Sequence, residues 1–257
     1  MNTVALIQAR MSSTRFPGKI MFETCGKTVL EHMVERVQYA KTLDTVAIIT
    51  STQPEDDPIQ ALCERRGFLC YRGSLNDLLD RHYQAALSLY ADIVLKIPSD
   101  CPLIDPEIID AVVELFNHSK ADYVSNLHPM SYPDGMDVEV MKLSALRSAW
   151  EKADKDIERE HTTPYLWDRG LFKVANFDMP GGLDYSETIR LTIDYPDDYR
   201  LIDEIFKHLL PVKINFGINE ILSLLSRKPQ LLEINAHHVG DTWYERERDK
   251  LSTKHGD

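Results

Sequence analysis

At 257 residues, 43% hydrophobic and 27% charged, the chain has the composition of an ordinary globular protein of one large or two small domains. Its formal net charge of -12 disfavours non-specific nucleic-acid binding, and its apolar runs fall short of the ~20 residues of a membrane span. The four cysteines are scattered without a CxxC pair, and the start lacks the layout of a secretory signal, so a reduced, cytoplasmic protein with no nucleic-acid or membrane partner is expected.

The first half alternates strand and helix signals. Residues 4–7 (VALI) form a short buried strand. Thr28 and Glu31 make a capping box ahead of a helical apolar pattern. Residues 45–50 (TVAIIT) are a second buried strand. Asp56-Asp57-Pro58 starts a helix that Gly67 ends, residues 68–71 are extended, and 75–89 are helical. Residues 93–97 are another buried strand, and Asp105-Pro106 opens a helix to about residue 117. This alternation predicts an α/β three-layer sandwich with a mostly parallel central sheet. In the second half, strands are expected at 138–141, 172–177 and 189–193, with helices at 144–152 and 196–210. We expect one domain over 1–228 carrying an inserted arm at about 126–182, then a loosely held polar tail over 229–257.

Ligands of such sheets bind at the carboxyl ends of the strands. The first strand runs into Gln8-Ala9-Arg10-Met11-Ser12-Ser13-Thr14-Arg15-Phe16-Pro17-Gly18-Lys19, and the first acidic residue is Glu23. Three cations, small hydroxyls and a Pro-Gly turn suit a polyphosphate, whose oxygens need N–H donors and positive charge. Gly26-Lys27-Thr28 resembles the end of a P-loop, but that motif needs a glycine where Met21 stands. The competing reading is a surface loop whose cations make ordinary ion pairs.

Two aspartates stand after apolar segments. Asp100, between Pro98 and Pro102, suits Mg²⁺, which takes one or two carboxylates plus substrate phosphates; it also suits a turn cap. Asp194, before Tyr195-Pro196, reads equally as a second ligand or a cap, while Asp197 and Asp198 fit the first turn of a helix. Asp134 and Asp137 lie in a Pro-Asp-Gly turn and the strand after it, and His161 follows Glu158-Arg159-Glu160 in a helical pattern. The adjacent His237 and His238 are expected to point apart and are not read as metal ligands.

The opening loop resembles that of the cytidylyltransferases that make CMP-activated sugars, which carry S-T-R-L-P-G-K. It is most similar to the SpsF-like branch associated with spore-coat polysaccharide biosynthesis. The shared blocks are Q-A-R-M-x-S-T-R-x-P-G-K, then R-G-S-x-x-D-x-L-x-R (Arg72, Gly73, Ser74, Asp77, Leu79, Arg81). They continue with D-C-P-L-I-D-P from Asp100, P-D-G-x-D-V-E-V from Pro133, R-E-H-x-T-P-Y from Arg159 and L-T-I-D-x-P-x-D from Leu191. One departure is Lys96, where the family has arginine.

The resemblance implies a nucleotide-diphospho-sugar transferase (GT-A-like) fold and a cytidylyltransferase using CTP, Mg²⁺ and an anionic acceptor. It implies that Gln8, Ala9, Arg10, Ser12, Ser13, Arg15, Lys19, Arg72, Gly73, Ser74, Asp77 and Arg81 hold the nucleotide. Asp100 and Asp194 would bind Mg²⁺, and Arg10, Arg15, Lys19 and Asp100 would carry catalysis. Asp134, Asp137, Glu139, Arg159 and His161 would border the acceptor. The family often dimerises, so a homodimer is among the partners implied. The alternative is a metal-dependent glycosyltransferase on the same fold, although Ser99-Asp100-Cys101 is not its usual D-x-D. On this reading Lys19→Ala and Asp100→Ala each lower turnover by about two orders of magnitude or more and leave the fold intact.

Overall fold

The computed structural model describes residues 1–252. In chain order the strands are β1 (Thr3–Gln8), β2 (Glu23–Thr24), β3 (Lys27–Thr28), β4 (Thr45–Ser51), β5 (Leu69–Gly73), β6 (Ile93–Pro98), β7 (Tyr123–Ser125), β8 (Glu139–Lys142) and β9 (Val174–Asn176). The helices are α1 (Val29–Gln38), α2 (Asp57–Arg66), α3 (Leu78–Ser88), α4 (Pro106–His118), α5 (Leu143–Lys152), α6 (Asp156–His161), α7 (Pro164–Trp167), α8 (Pro196–Leu209), α9 (Ile218–Arg227) and α10 (Trp243–Arg246).

A seven-stranded sheet has the order β5-β4-β1-β6-β8-β7-β9. Only β8 runs against its neighbours; the other pairings in this sheet are parallel. The central strands are apolar on both sides because helices cover both faces. Ala5 and Ile7 of β1 point into a core shared with α1, α2, α4, α8 and α9. Val4 and Leu6 point into the opposite core with α3, α5 and α7. The chain is therefore a three-layer α/β sandwich with a mixed, mostly parallel sheet.

The parallel register sets the site's location. Gln8 of β1 pairs with Pro98 of β6 and with Ile49 of β4, so the residues after these strands emerge on one edge. Ser51 of β4 pairs with Gly73 of β5, which brings the segment after β5 to the same edge.

Four sequence expectations are revised. Helix α3 begins at Leu78 rather than 75, because the Asp77 carboxylate caps it by accepting from the Asp80 N–H. Residues 126–182 are not an arm set apart from the domain: they contribute β8, which pairs with both β6 and β7 inside the sheet, and β9 at its edge. Residues 189–193 form one isolated bridge, Asp134 to Arg190, rather than a strand, because the segment crosses the strand ends. The described part of the tail is fixed to the body. Leu231 and Leu251 are buried in the two cores, and Asn235, 1% exposed, donates to the Arg190 carbonyl and the Asp198 carboxylate. Residues 253–257 of the expected tail lie outside the described residues. Among the described residues, no helix is long and apolar enough to cross a membrane.

Candidate active site

The loop after β1 is shaped mainly by its own backbone. The Ser13 and Gly18 N–H groups both donate to the Met11 carbonyl, folding residues 11–18 into a compact turn. Gly18 has φ +71°, a conformation open to glycine, and it directs Lys19 inward. The Met11 N–H donates to Asp56 Oδ1 at 2.7 Å, so the start of α2 anchors the loop. Ser12 and Arg15 are exposed on its rim, with Ser13 half-buried. Arg10 is exposed and has no hydrogen bond or ion pair among the described residues. Ala9 is buried, and the half-buried Gln8 keeps Oε1 buried without a partner among the described residues.

Lys19 joins the loop to both aspartates singled out in the sequence. Its Nζ lies 2.8 Å from Asp100 Oδ2 and 2.9 Å from Asp194 Oδ1. Arg15 Nη2 meets the same Asp194 oxygen at 2.7 Å, and its Cζ sits 5.6 Å from the Tyr195 ring centre. The backbone explains this convergence. The Ile193 N–H donates to the Asp100 carbonyl at 2.8 Å, which sets Asp194 beside Asp100. The Asp194 N–H donates to Asp198 Oδ2 at 2.8 Å at the start of α8.

Asp134 and Asp137 complete a group of carboxylates around Asp100 and Asp194. The turn that carries them is pressed against the crossing segment: the Leu191 N–H donates to the Asp134 carbonyl at 2.6 Å. Gly135 is required there, since its φ is +106° and a Cβ would lie 2.5 Å from the Leu191 carbonyl carbon. Burial pushes the Asp134 carboxyl up to about 8, helped by the charge of Asp137 and opposed by Arg190. Burial and the nearby Asp100 charge raise Asp137 to about 6. Burial also disfavours ionised Asp194, but Lys19 and Arg15 override it and hold that carboxyl well below the usual range.

Arg190, which sequence reasoning missed, is 1% exposed and organises this group. It donates to Asp134 at 2.8 Å, Asp194 at 3.2 Å, Asp198 at 3.1 Å and the Asp241 carbonyl at 3.1 Å. Its signal was a lone arginine inside an apolar stretch, Ile189-Arg190-Leu191, where an unpaired charge would be costly. Asp56, also missed, reads in the sequence only as part of a helix start.

The segment after β5 is self-braced. Arg72 donates to the Ser51 and Gln53 carbonyls, Gln60 and Asp57. Arg81, 2% exposed, donates to the Ser74 and Leu75 carbonyls at 2.7 and 3.0 Å. Ser74 Oγ accepts from the Asp77 N–H. Both guanidinium groups are thus spent on holding the loop around Gly73 and Ser74.

On the other flank, Glu139 is buried and pairs with Lys96 and with the Tyr123 hydroxyl at 2.6 Å. Arg159 lies 3.5 Å from Asp77. His161 stacks on Trp243 of α10 at 3.8 Å and faces Glu247 at 3.8 Å. Burial and the nearby Lys96 charge lower its pKa to about 4. The site therefore unites Arg15, Lys19, Asp100, Asp134, Asp137 and Asp194 directly. Arg72 and Arg81 brace the loop after β5, which Arg159 meets at Asp77, while Glu139 and His161 are packed among other side chains. The donors left for a metal are carboxylate oxygens, a set that hard divalent cations favour.

A family model described as cytidylyltransferase matches residues 4–217. The spore coat polysaccharide biosynthesis protein SpsF of Bacillus subtilis is 30% identical over 230 residues, covering 87% of this chain and 94% of that protein. A 3-deoxy-manno-octulosonate cytidylyltransferase of Pelobacter propionicus is 39% identical over 116 residues, 44% of each chain. The solved structure of a cytidylyltransferase from Leptospira borgpetersenii superposes with a TM-score of 0.84 at 31% identity, covering 90% of this chain and 97% of that one. The fold is that of the nucleotide-diphospho-sugar transferases, and the chain belongs to the cytidylyltransferase family.

Proposed function

We propose that this chain moves CMP from CTP to an anionic acceptor (an acidic sugar, a sugar phosphate or a phosphonate), releasing pyrophosphate. Its setting would be cytoplasmic synthesis of a surface glycan or polysaccharide. The observation that carries the reading is the convergence of Arg15 and Lys19 with Asp100 and Asp194 at the carboxyl edge of the sheet.

The carboxylate group fits a divalent cation. The Lys19 ammonium stands between Asp100 and Asp194, so a positive charge already takes the place a metal would fill. Asp134 and Asp137 stand beside them, where burial favours their neutral forms and Arg190 pairs with Asp134. Asp100 and Asp194 would hold Mg²⁺, which when bound neutralises phosphate charge and orients the triphosphate.

The chain's own groups do the rest. Arg10, exposed and unpaired among the described residues, holds the phosphate chain, and Ser12, Ser13 and the loop N–H groups supply further donors. Gln8, Ala9 and the braced loop at Gly73, Ser74 and Asp77 face the nucleoside. Arg72 and Arg81 serve this wall by fixing its backbone. An anionic acceptor oxygen attacks the α-phosphorus of CTP. The bond from that phosphorus to the bridging oxygen breaks, and pyrophosphate leaves with its electron pair, stabilised by Arg15 and Lys19. Such an acceptor arrives deprotonated, so no strong base is needed, and the rate comes from positioning and electrostatics. Asp134, Asp137 and Arg159 border the acceptor, with Glu139 and His161 behind them. The same reading includes a homodimer, which light scattering on the purified chain would test.

The experiment is a thermal-shift screen of the four nucleoside triphosphates with Mg²⁺, followed by pyrophosphate release against acidic sugars and phosphonates. A ligand at a hundredfold excess over its Kd stabilises by about 2.7 kcal/mol, so CTP should stand out. Stabilisation by a nucleotide sugar with release of a nucleoside diphosphate would instead favour a glycosyltransferase and overturn the proposal.

A further inference from the structure

The tandem histidines do not behave as their spacing suggested. His237 and His238 lie in one tight turn, Ala236–His238, and their ring centres are 4.0 Å apart. His237 Nε2 is 3.4 Å from Asp197 Oδ2 on the first turn of α8. One donor atom from each of Asp197, His237 and His238 lies within 4.8 Å of the other two. Neighbouring groups fix the arrangement. His238 stacks on Tyr195 at 3.9 Å with the rings 6° from parallel. Its N–H donates to the carbonyl of Asn235, whose side chain is bonded to the Arg190 carbonyl and Asp198. The three side chains thus come from two elements, and both elements are tied to the carboxylate group through Arg190 and Asp198.

We propose that Asp197, His237 and His238 form a second metal site, for a divalent transition metal of the Zn²⁺ type, separate from the oxygen-only group at Asp100 and Asp194. Two imidazole nitrogens and one carboxylate oxygen are a donor set that suits Zn²⁺ and Ni²⁺ and that Mg²⁺ does not favour. The half-exposed position leaves room for water to complete the coordination. Bound there, the ion clips the segment from Asn235 to Asp241 onto the start of α8.

The test uses the full chain, stripped with a chelator, dialysed, and held in excess Mg²⁺ so that oxygen-only sites are occupied. Zn²⁺ is then titrated by calorimetry and its effect on Tm recorded. One equivalent should bind, and at a hundredfold excess over Kd it should raise Tm by about 5–10 °C. His237→Ala and His238→Ala should each weaken binding by about tenfold or more, while His118→Ala, on the exposed end of α4, should leave it unchanged. Circular dichroism and the metal-free Tm show whether the variants fold. Absence of Zn²⁺ binding by the folded chain, or binding of equal strength by the folded His237→Ala/His238→Ala double variant, would overturn the proposal.

Discussion

Lys19 Nζ lies 2.8 Å from Asp100 Oδ2 and so joins two loops that are 81 residues apart in sequence. Lys19 is 8% exposed, and its ammonium also meets Asp194 and the Ile193 carbonyl. Burial works against its charge, yet the two carboxylates hold its pKa above that of an ordinary lysine. Removing one partner of such a buried pair typically costs about 3–5 kcal/mol. Lys19→Ala should therefore lower the stability of the metal-free chain as well as turnover, which revises the expectation of an intact fold. Asp100→Asn keeps a similar shape and removes one of several crowded negative charges. It should lower turnover by about a hundredfold or more with little loss of stability. Pyrophosphate release and urea unfolding on both variants check this. Near-normal turnover in folded Asp100→Asn would remove that residue from the reaction.

Arg190 should be more costly to lose than any cation at the rim. It holds three carboxylates and one carbonyl from a site that is 1% exposed. Arg190→Met should destabilise the chain by about 3–5 kcal/mol, read as a lower urea midpoint. Arg190→Lys keeps the charge but not the planar fork, so it should recover only part of the loss. Equal stability of Arg190→Met and the natural chain would show that Asp134, Asp194 and Asp198 do not need this partner.

Much of this was legible from the residues. The basic loop, Asp100 and Asp194 were visible because each follows an apolar segment; the parallel sheet brings the first two to one edge, and the Ile193 N–H, donating to the Asp100 carbonyl, brings Asp194 beside them. Arg190 and Asp56 were not, because a buried charge looks like any other charge until its partners are known, and Asp134, Asp241 and Met11 among them lie tens of residues away. Arg72 and Arg81 were visible as charges, but not as braces: the bonds of Arg81, and two of those of Arg72, go to backbone carbonyls, which carry no sequence signal. The second half was read less well for a related reason. Strand β8 was expected at 138–141, but nothing in so short a segment says that it returns between β6 and β7, antiparallel to both, rather than lying in an arm. The tail is polar in composition, yet it is held by a few anchors, Asn235 and Leu251 among them, that average composition hides.

Gly135→Ala tests whether the turn carrying Asp134 and Asp137 must press against residues 191–192. An added Cβ would meet the Leu191 carbonyl carbon at 2.5 Å and its oxygen at 2.6 Å, on a backbone with φ +106°. The clash is with backbone, so the turn must move and take both carboxylates with it. Stability should fall by about 1–3 kcal/mol from strain alone, and turnover should fall further than stability predicts. A folded Gly135→Ala chain with unchanged kcat and KM would mean that the position of this turn is irrelevant to the site.

Acid should loosen the C-terminal segment before it unfolds the body. His161 is stacked on Trp243, and the charged groups around it are Lys96, Glu139 and Glu247. Burial and Lys96 lower its pKa to about 4, against about 6.5 for a free histidine. Between those values the unfolded chain binds more protons at this position than the folded one. The stability gained by keeping His161 neutral is therefore complete above about pH 6.5 and is lost as pH falls through about 4. Once protonated, the ring carries a charge that burial and Lys96 disfavour, and the fluorescence of the Trp243 indole stacked on it should change in that range. His82 is buried and has its pKa lowered to about 3, so it adds a similar slope of its own. The difference between the natural chain and His161→Phe, which keeps an aromatic ring but cannot titrate, isolates His161. That variant should show a shallower loss of stability between pH 6.5 and 4. Identical pH profiles for the two chains would show that the His161–Trp243 contact does not sense protons.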